Sequence, residues 1–135
     1  MLIEILFFLV LGIIAGTITG LIPGIHINLI GAFLIALSTT ILFSIPPIFL
    51  VVFISSMAIT HTFLDFIPSI FLGCPDTDTE LSILPGHELL KKGQGYQAIM
   101  LTAYGSLAAI IILIAISLPS ITIISYTYDI ITWSI

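Results

Sequence analysis

Apolar residues run along this chain in stretches longer than a soluble core uses, separated by short polar or proline-containing breaks. Residues 1–22 form the first stretch and predict a helix long enough to cross a membrane. Gly12, Gly16 and Gly20 recur in it at four-residue spacing, which Gly24 continues just beyond it. On a helix, that spacing bares the backbone along one face and lets another helix approach closely. The pattern then fails at Pro23-Gly24, because proline lacks an N–H and glycine is conformationally loose. A broken or re-entrant helix is therefore predicted over Leu21–Asn28. Apolar residues resume over 25–43, short for a full span and suited to a half-helix or short span, until Ser44-Ile45-Pro46-Pro47 ends them.

Residues 46–72 predict a third helix, long enough to cross with tilt, whose last turns Pro68 kinks. Ser55, Ser56, Thr60, His61, Thr62 and Asp65 fall inside it, where hydrocarbon penalises polarity. Residues 73–97 are the polar loop. Within it Thr77-Asp78-Thr79-Glu80 has the spacing of a helix-starting capping box. Pro85-Gly86 is expected to interrupt that helix, and His87 to Lys92 to add a turn or two stopped by Gly93. Residues 98–118 give the fourth span, and Pro119-Ser120 opens a partial fifth over 121–135, with Tyr126, Tyr128 and Trp133 as interface anchors. The fold class is an all-α integral membrane protein of about four membrane helices plus a partial fifth, read as one membrane domain over 1–135.

Composition agrees with this pattern. Hydrophobic residues make up 59% and charged residues 7%, against about a quarter charged in soluble domains. Mean hydropathy is +1.35. The net charge of −5 leaves Lys91 and Lys92 as the only basic residues, which excludes a nucleic-acid partner. The same two lysines assign the polar loop to the cytoplasm by the positive-inside bias. Glu4 stands where a signal peptide carries Lys or Arg, so the first stretch reads as a retained helix. One cysteine, Cys74, excludes an internal disulfide.

Three places carry candidate chemistry. His61 and Asp65 are four residues apart and share a helical face with Thr62 near it. Ionisable residues inside a span usually face a pathway or the protein interior. One reading is a coupling site for H⁺, since His exchanges protons near neutral pH, or for Na⁺ held by Asp65 and hydroxyls. The other is a structural pair tying two helices together. At the second place, Pro23 and Gly24 free backbone groups for a ligand, and His26 and Asn28 follow where first-turn amides favour an anion. Alternatively Asn28 only caps the helix. The third place, with Pro75, Asp76, Asp78 and Glu80, lacks the ligand spacing of a cation loop, and a solvated acidic loop accounts for it. No metal site is expected. His87-Glu88 lacks the second His of a zinc-protease motif, and Gly105-Ser106 lacks the flanks of a nucleophile elbow. No catalytic residue or cofactor is expected beyond a coupling H⁺ or Na⁺.

Two blocks of residues together resemble a known family. Gly20-Leu21-Ile22-Pro23-Gly24, closing a glycine-rich helix, resembles the opening of the large membrane subunit of tripartite tricarboxylate transporters. Gly73-Cys74-Pro75, then Pro85-Gly86-His87 and Lys91-Lys92-Gly93-Gln94-Gly95 with Ala98, resemble that family's loop. The resemblance spans nearly the whole chain but only the N-terminal part of a family member. Family members usually have Asp-Gly at Pro85-Gly86 and a glycine-rich segment at His61–Asp65, so this chain is closer to a divergent archaeal branch. The resemblance implies a permease in the cell membrane of a prokaryote. Its expected partners are the lipid bilayer, a small organic anion, and the remaining permease half, a small membrane subunit or a second copy. An extracytoplasmic binding protein is a further partner implied in bacteria. Substrate would bind near the membrane midplane against the helix ends at Pro23-Gly24, with Gly73 and Pro75 on the same path. The rival reading is a non-transporting subunit or scaffold that packs through Gly12, Gly16 and Gly20.

Overall fold

The computed structural model describes residues 1–40, 42–73 and 79–133. Among these the regular structure is helical: α1 (Leu2–Leu21), α2 (Ile27–Ser38), α3 (Pro47–Leu64), α4 (Phe66–Leu72), α5 (Glu80–Lys91) and α6 (Gly95–Trp133). Three helical stretches are long and apolar enough to cross a membrane: Leu2–Leu21, Pro47–Leu72 and Gly95–Ile121. Ile27–Ser38 is a shorter apolar helix. The chain divides into two compact units, Met1–Thr102 and Ala103–Ile135.

The first unit is organised by the glycine face of α1. Gly12, Gly16 and Gly20 are its buried residues. A Cβ at Gly12 would strike Ser56 Oγ and lie 2.5 Å from the Phe53 carbonyl oxygen. One at Gly16 would strike the Met57 carbonyl and lie 2.8 Å from Thr60 Cβ, and one at Gly20 would lie 2.9 Å from the His61 carbonyl oxygen. Only hydrogen fits, and the two backbones touch because of it. The face is thus filled by this chain's own α3.

These pairs also fix direction. Moving from Gly12 to Gly20 along α1 moves from Phe53 to Leu64 along α3, and near the start Phe8 stacks on Phe49 with centroids 5.2 Å apart. The two helices are parallel. The segment between them must therefore carry the chain back across, so α2 is a short return leg rather than a re-entrant loop. At ~1.5 Å per residue, α2's 12 residues rise ~18 Å, and the non-helical flanks supply the remainder.

Four expected boundaries move. α2 stops at Ser38, short of residue 43, because Ser38, Thr39 and Thr40 hydroxyls turn back onto the carbonyls of Ile35, Ala36 and Leu37 and compete with the helical ladder. The third helix, expected over 46–72, is interrupted at Asp65, within the last turns that Pro68 is expected to kink. Pro68 has no N–H to give the Leu64 carbonyl, so the disruption falls one turn earlier. Pro85-Gly86 does not interrupt α5, which runs through Pro85. Gly86 instead lets α5 press on α4, where its Cβ would lie 2.9 Å from Ile70 Cγ1. Pro119 likewise sits inside α6, so the fourth span and the partial fifth are one helix. Ser117 and Ser120 donate to the Ile114 and Ile116 carbonyls around it, and such hydroxyl bonds help helices tolerate proline in lipid.

The loop helix ends as its glycine requires. Gly93 has φ +75°, with Gln94 N–H donating to Leu89 O and Gly93 N–H to Leu90 O, a Schellman closure. At its start the N-cap is Thr79, which makes no side-chain bond to its own helix. Thr77 and Asp78 of the expected capping box lie outside the described residues.

Candidate functional site

The break after α1 and the break after α3 meet, because parallel helices of similar length end at the same level. α1 leaves helical geometry at Ile22, which is extended at φ −100°, ψ 112°, and Gly24 takes φ +83°. Opposite it, Asp65 closes α3 with its N–H on the His61 carbonyl 2.9 Å away. Between them lies a cavity of about 10 Å³ lined by Gly20 and Ile22 to Ile25 on one side and by His61, Asp65, Pro68 and Ser69 on the other. That is close to the room one water-sized particle needs.

His61 is 4% exposed, and its Nδ1 lies 3.1 Å from Thr19 Oγ1. The Thr19 hydroxyl also lies 3.3 Å from the Gly16 carbonyl, and the imidazole tautomer sets which of His61 and Thr19 donates. Ser69, 2% exposed, donates to the Asp65 carbonyl at 2.8 Å. Behind it Thr79, 1% exposed, lies 3.0 Å from Ser69 Oγ.

The electrostatics of this place favour a positive ion. α3 passes through Asp65, still in helical geometry, into α4, whereas the C-terminal end of α1 lies here and carries roughly half a negative charge on unsatisfied carbonyls. The Asp65 carboxyl group adds to them. Among the described residues no cluster of three His, Cys, Asp or Glu side chains exists, so the donors available are one carboxylate, hydroxyls and backbone carbonyls. Such oxygen sets suit hard cations.

Six of the residues singled out in the sequence come together here: Pro23, Gly24, His61 and Asp65 from the candidate chemistry, with Gly20 of the packing face and Pro68. Others do not. Thr62 is exposed and donates to the Ala58 carbonyl of its own helix. His26 is the N-cap of α2, so Asn28 is not the cap but the second helical residue, and both are exposed. Leu21 to Gly24 are exposed as well, so the break is not buried within the described residues. Gly73, at φ +64°, lies against the His87 ring, where a Cβ would be 3.3 Å from Nε2. Pro75, like Asp76, lies outside the described residues. Thr19, Ser69 and Thr79 were not predicted. Their only sequence signal was polarity inside or beside apolar helices.

The cavity lies about one full helix from the start of α1. The 20 residues of α1 rise ~30 Å, the thickness of a hydrocarbon core. That places the break toward one boundary of the span rather than at its midplane. A larger groove of about 650 Å³ lies between α2 and α3, lined by Leu34, Leu50, Val51 and Ile54 among others. Its Ser38 and Thr39 hydroxyls are spent on their own helix, and with Ser55 as the remaining polar side chain in a mostly apolar lining it offers little to a charged ligand.

Comparison with known proteins agrees with the helical membrane architecture. The chain is similar to the uncharacterized protein MJ1079 of Methanocaldococcus jannaschii, with 46% identity over 125 residues, covering 90% of this chain and 30% of that protein. It thus spans about a third of the length of the curated relative that it matches. No solved structure matches it. Residues 6–132 match the tripartite tricarboxylate transporter TctA family, a family of transporters rather than enzymes. This chain is a multi-pass protein of the cell membrane and belongs to the TctA family.

Proposed function

We propose that this chain forms part of a secondary carrier for a small organic anion of the carboxylate class, and that the cavity between the α1 and α3 breaks holds the coupling cation. One observation carries this reading: the C-terminal end of α1 and the proline-disrupted turn at Asp65 converge on a space of single-ion size. Asp65 supplies charge, the freed carbonyls after Gly20 supply neutral ligands, and His61 holds the α1 side in place through Thr19. The coupling ion is Na⁺ bound there directly or H⁺ carried by Asp65 or His61.

The anion belongs on the outer side of the same break. The first-turn amides of α2 and the exposed His26 and Asn28 favour negative charge. Pro23 and Gly24 would then stand between cation and anion, so that each improves the site of the other. Partner membrane subunits complete the path, and an extracytoplasmic binding protein delivers the substrate where one is present. The rival reading as a scaffold packing through Gly12, Gly16 and Gly20 has less support, since α3 already fills that face.

The test is uptake of labelled carboxylates by proteoliposomes holding the native permease complex, with Na⁺ and H⁺ gradients imposed separately. Asp65→Asn keeps size and hydrogen bonding, so near-normal membrane levels with ion-driven accumulation lost are expected. His61→Gln should remove any pH dependence. Loss of both variants from the membrane would instead assign His61 and Asp65 a purely structural role.

A further inference from the structure

The buried pair Thr79 and Ser69 connects the start of α5 to the cation cavity, and its hydrogen bonds have a fixed direction. A serine hydroxyl has one proton and two lone pairs. Ser69 spends its proton on the Asp65 carbonyl at 2.8 Å. It therefore has none to offer Thr79, so Thr79 must donate, and this occupies one Ser69 lone pair at 3.0 Å. Ser69 lines the cavity. One lone pair remains, so the hydroxyl meets the cavity with oxygen and not with hydrogen.

We infer that Thr79 is a positioning residue that locks the Ser69 hydroxyl with its oxygen toward the cavity, making Ser69 a ligand to the cation bound beside Asp65. This rests on the proposed function and deepens it. Without Thr79, the Ser69 rotor is held from one side only, and a rotation would point O–H at the cation and repel it. The arrangement also explains why the α5 N-cap residue bonds to α4 instead of its own helix. Both partners are almost wholly buried, with Thr79 at 1% and Ser69 at 2% exposure.

The experiment measures the concentration of Na⁺, or of H⁺ in a parallel series, that half-saturates uptake by the reconstituted native complex. Thr79→Val keeps the branched shape and removes the donor. Loss of one well-placed hydrogen bond predicts a rise in the half-saturating concentration of the driving ion of about fivefold to tenfold, with the maximal rate kept. Thr79→Ser should restore the wild-type value. Ser69→Ala should give a similar rise, and Thr79→Val added to Ser69→Ala should change nothing more, since Thr79 acts only through Ser69. Additive effects, or a fall in maximal rate at unchanged half-saturation, would overturn the assignment. Should Thr79→Val fail to reach the membrane, Thr79→Ser and Ser69→Ala still decide it: a Thr79→Ser value displaced like that of Ser69→Ala refutes positioning by the hydroxyl. Failure of the underlying reading is distinguishable, because Asp65→Asn would then retain ion-driven accumulation.

Discussion

Thr19 Oγ1 lies 3.1 Å from His61 Nδ1, and this contact joins the ends of two parallel helices separated in sequence by α2. It is a side-chain bond between helices at the level where both stop. Replacing Thr19 by Val keeps the shape and removes the hydroxyl. The expected loss is about 0.6 kcal/mol and at most about 1.7, as measured for hydrogen bonds between membrane helices. A lower thermal midpoint of the detergent-solubilised protein reads it. An unchanged midpoint would mean that His61 is held by α3 alone.

The glycine face makes a sharper prediction. Gly16→Ala drives a methyl group into the Met57 carbonyl and Thr60, and overpacking of this kind typically costs about 1–3 kcal/mol. Gly105, in α6, has nothing within 4 Å of an added Cβ. Gly105→Ala should be neutral or gain up to about 1 kcal/mol from helix propensity. Equal effects of the two substitutions on thermal midpoint would remove the packing argument for α1 and α3.

Parallel α1 and α3 put Ser44 and Gln94 on opposite faces of the membrane, since Ser44 precedes α3 and Gln94 follows α4 and α5. With Lys91 and Lys92 cytoplasmic, in a Cys74→Ser background Ser44→Cys should react with an impermeant thiol reagent outside intact cells. Gln94→Cys should resist it. The reverse labelling pattern would invert the orientation, and labelling of both would refute the parallel pair.

Gly86 holds α5 on α4 through Ile70, which is 0% exposed. Gly86→Val adds bulk where even a methyl group is crowded and should lift α5 from this seat, exposing residues 80–91 to proteolysis. Protease mapping of right-side-out and inverted vesicles reads the change. Cleavage rates matching wild type would show that α5 does not depend on that contact.

Local chemistry was legible in the sequence, and tertiary pairing was not. The break at Pro23-Gly24 followed from a missing N–H, and the buried face of α1 from four-residue glycine spacing. His61 and Asp65 were found because a four-residue interval puts them on one helical face. Prolines misled where a neighbour relieved them: Pro119 beside serine hydroxyls, Pro85 beside a contact glycine. The direction of α3 relative to α1 is set by which surfaces fit, so no local signal carried it. Without that direction, two helix ends meeting at one cavity could not be foreseen, nor could the roles of Thr19, Ser69 and Thr79.

The parallel pairing of α1 with α3 also orders how the chain is made. α1 leaves the ribosome with a face of bare glycine backbone, and the surface that matches it is synthesised only after α2 has turned back. Until then that face lacks the α3 surface it packs on, and Pro23 and Gly24 lack the residues that line the cavity opposite them. The cavity thus closes only when His61 to Ser69 arrive, so the final step of assembling this helix pair is also the step that creates the proposed ion site. Substitutions that slow biogenesis and substitutions that weaken ion binding are therefore expected to fall on the same few residues.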